Sequence, residues 1–408
     1  MRVVSKCTAG YPFPLEESPA RPVKFIVEAI GVKTGGGVAV TRRLVGSLAR
    51  CERHKFVALL PAIPEYAPGD TGTVPVLRFP PEANLARRHL LLNRTVPRIC
   101  RREQADALLC LGNFPPAKPP CPTVVLLQNA WYVYDDRTAW RRLTLREMFT
   151  VRYGRRLLAA RSGAAGYVVQ TRVMKRRLGA LQGGSGDAIA VIPTALPPPP
   201  PCARAAFAGP HDPFTFLCLS RYAAHKNSEI LLEAVEILRK LTSGRFRCLL
   251  TTAPDEHPGA RKLLRRIDRQ GLQDLIVNRG PVPRGKAAEI YAEADALLLP
   301  TLLESYGLAY DEAMHFGRPI LTSDREFAHE RCRDAAIYFD PLDAESVARA
   351  MARTMEDSEL RVRLVASGRR IAAAAPGWEE IAAQFVDVLE RAATGRPIRD
   401  AAAASPEA

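Results

Sequence analysis

Asp295-Ala296-Leu297-Leu298-Leu299-Pro300-Thr301-Leu302-Leu303-Glu304-Ser305-Tyr306-Gly307-Leu308-Ala309-Tyr310-Asp311-Glu312 spells a strand, a turn and the start of a helix in one continuous stretch. The apolar run that Pro300 ends is too short for a helix and reads as a buried strand. From Leu308 to Phe316 the apolar residues support a helix, and Gly317 suits its left-handed C-cap. A strand turning directly into a helix is the unit of an open α/β sheet, whose ligand crevice lies at the carboxyl ends of the strands. The turn thus carries Glu304 and Glu312, eight positions apart, to a place where the free amides of a helix start favour an anionic group such as phosphate. By themselves the two glutamates read as a turn cap and a polar helix residue.

Outward from this stretch the same alternation continues on both sides. Before residue 205 the short apolar runs are Lys24 to Ile30, Phe56 to Leu60, Asp106 to Leu111, Thr123 to Gln128 and Gly166 to Gln170. After it they are Phe214 to Leu219, Phe246 to Leu250, Leu275 to Val277, Ala296 to Leu299 and Pro319 to Thr322. Continuous apolar strands separated by helical stretches mean parallel sheets covered on both faces. The expected fold is α/β, with two doubly wound Rossmann-like domains facing one another across a cleft. Pro193 to Arg204 holds five consecutive prolines, which form neither helix nor sheet interior, and marks the boundary. The expected units are a basic first domain over 1–205 and a second over 206–375. A helix over 376–393 is expected to pack back on the first, followed by a disordered tail over 394–408.

At 408 residues the chain is too long for one average core, which supports two domains. Its composition is that of a globular protein, and no apolar run approaches the roughly 20 residues that span a bilayer. The first residues lack the apolar segment of a secretory signal, so the expected location is cytoplasmic, or peripheral at the inner face of a membrane. Nine scattered cysteines without a C-x-x-C pair argue against a zinc site or a disulfide framework. The net charge of +15 is one-sided: through Ala205 there are 31 Lys and Arg against 13 Asp and Glu, and beyond it 27 against 30. A basic first domain points to an anionic partner. Without an aromatic-interleaved basic motif, nucleic acid is not the expected one.

Two further motifs lie at predicted strand ends. Thr34-Gly35-Gly36-Gly37-Val38 lets backbone approach a phosphate, although it matches neither the dinucleotide fingerprint nor the P-loop. Ser220-Arg221-Tyr222-Ala223-Ala224-His225-Lys226-Asn227 places two cations five residues apart, able to converge on one diphosphate: Arg221 as a planar fork and Lys226 as a compact charge. The chain contains no D-x-D, so no carboxylate-bound metal is expected.

Arg221 and Lys226, followed some eighty residues later by the Glu304 and Glu312 spacing, resemble the retaining GT-B glycosyltransferases of family four, also called group one. The resemblance covers most of residues 25 to 390 and is strongest from Phe216 to Asp340, where Gly280-Pro-Val-Pro, Gly317-Arg-Pro-Ile and Cys332 to Pro341 also look like the family. It implies a hexosyltransferase that takes a nucleotide-diphosphate sugar, of UDP or GDP type, as co-substrate with no resident cofactor and no metal. Arg221, Lys226 and Glu304 would serve the transfer, Glu304 by accepting hydrogen bonds from sugar hydroxyls. Ser305, Tyr306, Gly307 and Leu308 would present backbone amides to the diphosphate and sugar, and Glu312 would take the ribose hydroxyls. Gly36 and Gly37 would close over the diphosphate from the first domain, and Pro281 and Val282 would meet the base. Retention by a front-face route puts the burden on positioning and electrostatics.

One departure lies on the acceptor side. Many members have a histidine, often His-Asp, where this chain has Gln128-Asn129, and amides donate hydrogen bonds without serving as a base. His225 is expected to shape its loop, and His315 to lie on its helix without catalytic duty. The acceptor implied is a saccharide or a lipid-linked saccharide, as in surface polysaccharide or glycolipid assembly. Trp140 to Arg161 and Leu85 to Arg94 mix cations with bulky apolar residues at helical spacing, and such helices rest on anionic lipid headgroups or cover a sheet with their cations in water. The alternatives are a non-catalytic nucleotide-sugar or carbohydrate binding protein, and a GT-B nucleotide-sugar epimerase.

Overall fold

The computed structural model describes residues 22–33, 35–67, 71–81, 85–160, 163–184, 186–195 and 210–400. Residues 196–204 of the expected linker, and 401–408 of the expected tail, lie outside the described residues. Among the described residues seven strands build the first domain: β1 Lys24–Glu28, β2 Lys55–Pro61, β3 Val76–Phe79, β4 Ala107–Cys110, β5 Thr123–Leu126, β6 Gly166–Val169 and β7 Ile189–Val191. Six build the second: β8 Phe214–Cys218, β9 Phe246–Leu250, β10 Ile276–Asn278, β11 Ala296–Leu299, β12 Ile320–Ser323 and β13 Ala336–Phe339. The sheets run β3-β2-β1-β4-β5-β6-β7 and β10-β9-β8-β11-β12-β13, with every pairing parallel. β1, β4, β5, β8 and β11 are almost wholly buried because helices cover both faces, which is why their sequences are unbroken apolar runs.

Strand order reverses between β1 and β4 in the first sheet and between β8 and β11 in the second. These switch points open a crevice beyond the strand ends. The loops leaving β1, β4, β8 and β11 are therefore the ones that build a site.

Three strands escape a reading of apolar runs: β3, β7 and β13. All are sheet edges of three or four residues. An edge strand is covered on fewer sides, so β3 is only half-buried and carries Arg78 in its middle.

The C-terminal helix Trp378–Ala393 buries Ile381, Phe385, Val388 and Leu389 in the first domain's core beside Val40, Leu44 and Val45. Glu390 from its last turn meets His54 Nε2 at 2.6 Å. The chain beyond the helix departs from the expected disordered tail. Ile398 is buried against Gly166, where a Cβ would come within 2.4 Å of its Cδ1. Asp400 accepts hydrogen bonds from the Val191 amide at 2.7 Å and Lys175 Nζ at 2.9 Å. Composition alone hides this, because one isoleucine and one aspartate suffice to cover the open edge at β7.

The helical stretch from Trp140 to Arg161 is broken. A short helix Arg137–Trp140 stops, and Leu145–Ala159 restarts behind a capping box in which Thr144 and Glu147 satisfy each other's backbone amides.

Candidate active site

The second sheet delivers its site residues from two loops. After β8 the chain runs through Ser220 and Arg221 to a single helical turn, Ala224–Lys226, which ends at Asn227 in the left-handed region, φ 57°. That strain is held by two partners: the fully buried Asn227 amide donates to Pro341 O at 2.7 Å and accepts from Arg142 of the first domain at 2.5 Å. After β11, Thr301 and Leu302 donate to the carbonyl of His225 at 3.2 and 2.7 Å, tying the two loops together. Lys226 Nζ consequently donates to Glu304 Oε1, and both side chains are mostly buried.

The helix Leu308–His315 begins at Gly307, φ 83°, a conformation that glycine adopts without strain. On the first domain Gly35, Gly36 and Gly37 form the first turn of a helix, Gly35–Leu48. A Cβ on Gly36 would stand 3.2 Å from Leu308 Cδ1. Two helix N-termini, one from each domain, thus face one another, and each carries amides and a partial positive charge suited to an anion.

Beside them lies a cleft of about 470 Å³. Its walls include Gly36, Gly37, Gln128 and Asn129 from the first domain and Glu304 and Ser305 from the second, all anticipated from sequence. Asn113 Oδ1 fixes the Gln128–Asn129 turn by accepting from both backbone amides, at 2.8 and 3.0 Å. The other anticipated residues lie outside this lining. Arg221 is half-exposed and paired with Glu256 at 2.8 Å, so it does not converge with Lys226; the spacing gives no hint of the competing carboxylate. Tyr306 turns its ring away from the cleft, because its hydroxyl donates to Thr194 O at 2.5 Å and the Arg331 guanidinium lies 4.0 Å over its ring. Only its backbone remains for a ligand. Glu312 is half-buried beside the Tyr291 hydroxyl at 3.5 Å, and Pro281 and Val282 follow the end of β10, with Gly280 held at φ 74°.

Several cleft groups were not among the anticipated site residues. His225 lies in the wall edge-on to Trp131, with ring centroids 5.4 Å apart, and burial followed by the Lys226 charge holds its imidazole neutral, well below the usual range. Arg88 and Gly112 also line the cleft, over the buried Glu28 that ends β1. Beneath Tyr306, Asp311 and Arg331 form a buried ion pair, and burial pushes the Asp311 carboxyl up. His315, as expected, sits on its helix, with Nδ1 at 2.8 Å from Asp311 O.

The domains also meet beside the cleft. The Glu330 carboxylate accepts the amides of Arg172 at 2.6 Å and Val173 at 2.8 Å, capping the first-domain helix Arg172–Leu181 from the second domain. Thr171 Oγ1 donates to Ser305 O at 3.2 Å.

Residues 203–371 match the family model described as glycosyl transferases group 1. A D-inositol 3-phosphate glycosyltransferase from Xylanimonas cellulosilytica is 29% identical over 247 residues, which are 57% of this chain and 58% of that protein. The chain thus spans little more than half the length of that relative. A sucrose-phosphate synthase from Thermosynechococcus elongatus superposes with a TM-score of 0.71 at 17% identity, over 92% of this chain and all of that one. The Anabaena protein HepE, solved in complex with UDP-glucose, superposes with a TM-score of 0.66 at 16% identity, over 90% of this chain and 99% of its own. These likenesses establish the GT-B fold: two parallel-sheet Rossmann-like domains with a cleft between them.

Proposed function

We propose that this chain, whose second domain belongs to the glycosyl transferases group 1 family, transfers a hexose from a nucleotide-diphosphate sugar to a hydroxyl of a saccharide or lipid-linked acceptor, with retention and without a metal. The carrying observation is the pair of helix N-termini at Gly35–Gly37 and Gly307–Leu308, which face each other beside the cleft and suit a diphosphate between them. Lys226 adds a compact cation that neutralises charge developing on the leaving diphosphate, and Glu304 both orients it and accepts hydrogen bonds from sugar hydroxyls. Gln128 and Asn129 donate to the acceptor from the opposite wall. The neutral His225 ring and Trp131 shield the reacting atoms from water. Positioning and electrostatics supply the rate, with no side chain required as base.

The test is thermal stabilisation across a panel of nucleotide sugars that includes UDP-glucose, followed by transfer assays. A donor at a hundredfold excess over its Kd adds about 2.7 kcal/mol of stability. Absence of stabilisation by every UDP and GDP sugar overturns the reading. Binding without transfer across a broad acceptor panel favours a binding protein, and a new nucleotide sugar formed without acceptor favours an epimerase.

The first domain's outer face supports work at an anionic membrane surface. On the helix Leu145–Ala159, Val151, Gly154 and Leu158 face inward, while Leu145, Phe149 and Tyr153 are 81%, 73% and 53% exposed on the other side. Arg146, Arg152 and Arg156 are exposed among them. A bulky apolar stripe interleaved with arginine fits lipid headgroups at the inner face of a membrane. Among the described residues no helix is long and apolar enough to cross one. Co-sedimentation with vesicles containing about a third phosphatidylglycerol, lost on Phe149→Ser, checks this attachment.

A further inference from the structure

Glu28 ends β1 at the switch point of the first sheet, in register with Leu59 of β2 and Cys110 of β4. It is 3% exposed. Its Oε1 accepts the Ile30 amide at 2.8 Å, but its buried Oε2 has no hydrogen-bond partner. A buried carboxylate oxygen without a partner is costly, and such a group calls for a ligand or a neighbouring cation.

The neighbour is Arg88. Its guanidinium occupies the space where Gly31 lacks a side chain: a Cβ there would fall 2.1 Å from Nη2 and 2.4 Å from Cζ. A Cβ on Gly112, the cleft residue that follows β4, would lie 3.5 Å from Glu28 Oε2 and 3.7 Å from Arg88 Nη2. The missing side chains of Gly31 and Gly112 thus leave a cation and a buried carboxylate side by side on the first-domain wall, opposite Glu304 and Ser305. Arg88 faces the cavity and Glu28 lies beneath it.

We infer that this wall is a subsite for an acceptor bearing an anionic group next to its hydroxyls, with Arg88 receiving the anion as a planar fork and Glu28 acting through Arg88 as a positioning residue. The inference rests on the proposed transfer reaction and names the substrate class of its acceptor side. Arg88 suits the task because its fork matches a phosphate or sulfate oxygen pair. Glu28 sets how much of that charge is free. Burial raises its carboxyl from 4.5 to about 7, against the lowering field of Arg88 and the amides of Ile30 and Gly31. Cys110, beside it, is pushed up by burial and stays neutral, as does Tyr132 near Arg88, and Lys33, His225 and Glu304 are the other titratable groups of the cleft lining. Above pH 7 the ionised Glu28 therefore offsets the Arg88 charge, and below pH 7 the protonated form releases it to the ligand.

The experiment uses glucose 6-sulfate and glucose as probes, because the sulfate charge is constant across the range, with binding measured by calorimetry at pH 6 and pH 8, with and without saturating UDP. The sulfate ester is expected to bind at least tenfold more tightly than glucose, and severalfold more tightly at pH 6 than at pH 8. Arg88→Met is expected to bring the two probes level and leave UDP affinity unchanged. Glu28→Gln is expected to keep the preference for the sulfate but abolish its pH dependence, which a purely structural role would not do. Arg88→Lys, which keeps the charge and loses the fork, is expected to fall between, and melting curves confirm that the variants are folded. Equal affinities for the two probes, a preference that survives Arg88→Met, or a pH dependence that survives Glu28→Gln overturns the inference. A tenfold loss of UDP affinity in Arg88→Met also overturns it, by assigning Arg88 to the donor. Failure of every nucleotide sugar to bind strikes the transfer reaction itself, a result the probe titrations without UDP keep separate.

Discussion

Gly36 of the first domain and Leu308 of the second face each other so closely that a Cβ on the glycine would stand 3.2 Å from Leu308 Cδ1. Each residue lies in the first turn of its helix. The absent side chain leaves a slot for Leu308 against the first turn of the opposite helix. Gly36→Val fills that slot without touching either core, so nucleotide-sugar affinity is expected to fall at least tenfold with little change in melting temperature. Calorimetric titration of the donor beside a melting curve checks both halves.

Lys226 and Glu304, the latter in the wall of the cleft, hold each other and are 21% and 13% exposed. Lys226→Met removes the cation proposed to neutralise the leaving diphosphate and leaves Glu304 without its partner. Transfer is expected to fall a hundredfold or more, with a stability loss of about 1–3 kcal/mol. Glu304→Gln keeps a hydrogen-bond acceptor for Lys226 and is expected to cost less stability while still impairing transfer. Steady-state kinetics and urea unfolding of both variants separate the two effects.

Glu330 caps the helix Arg172–Leu181 across the domain boundary, through amides at 2.6 and 2.8 Å. Glu330→Ala removes that cap at an expected cost of about 1 kcal/mol. The loss should be local, so hydrogen exchange is expected to quicken at the amides of Arg172 and Val173 while the strands of both sheets stay protected.

Glu28 makes stability depend on pH in a stated direction. Its folded carboxyl titrates at about 7, above its usual 4.5. A raised carboxyl favours the folded state while protonated, so its contribution is whole below about pH 4.5 and is lost as pH rises through about 7. The shift corresponds to roughly 3 kcal/mol. Glu28→Gln, neutral throughout, is expected to gain stability over the wild type between pH 6 and pH 8, measured as the difference in urea midpoints.

Arg331 and Asp311 form the buried pair beneath Tyr306. Arg331→Met strands a buried carboxylate and is expected to cost about 3–5 kcal/mol, and adding Asp311→Asn is expected to restore a large part of it. The double-variant cycle in urea measures the coupling.

The alternation of apolar runs and helical stretches was enough to place ten of the thirteen strands among the described residues and both parallel sheets. That worked because a strand covered on both faces has no choice but a continuous apolar sequence. The same rule fails at β3, β7 and β13, where an edge needs less cover. Glu28 has no signature of its own, since within the run Lys24 to Ile30 it is a single acidic residue among apolar ones.

The sequence by itself determined the fold, and it determined which loops form the site, because the strand-turn-helix pattern at Asp295 to Glu312 and the positions after β1, β5 and β8 are local properties. Only the tertiary structure decided what those loops do with their charges. It paired Arg221 with Glu256, turned Tyr306 toward Thr194, brought His225 into the cleft wall and set Arg88 over Glu28. Each of these relations joins residues that are distant in the chain, and a side chain's partner is chosen by whatever the fold carries within about 3 Å of it. Spacing along the sequence holds no record of that choice.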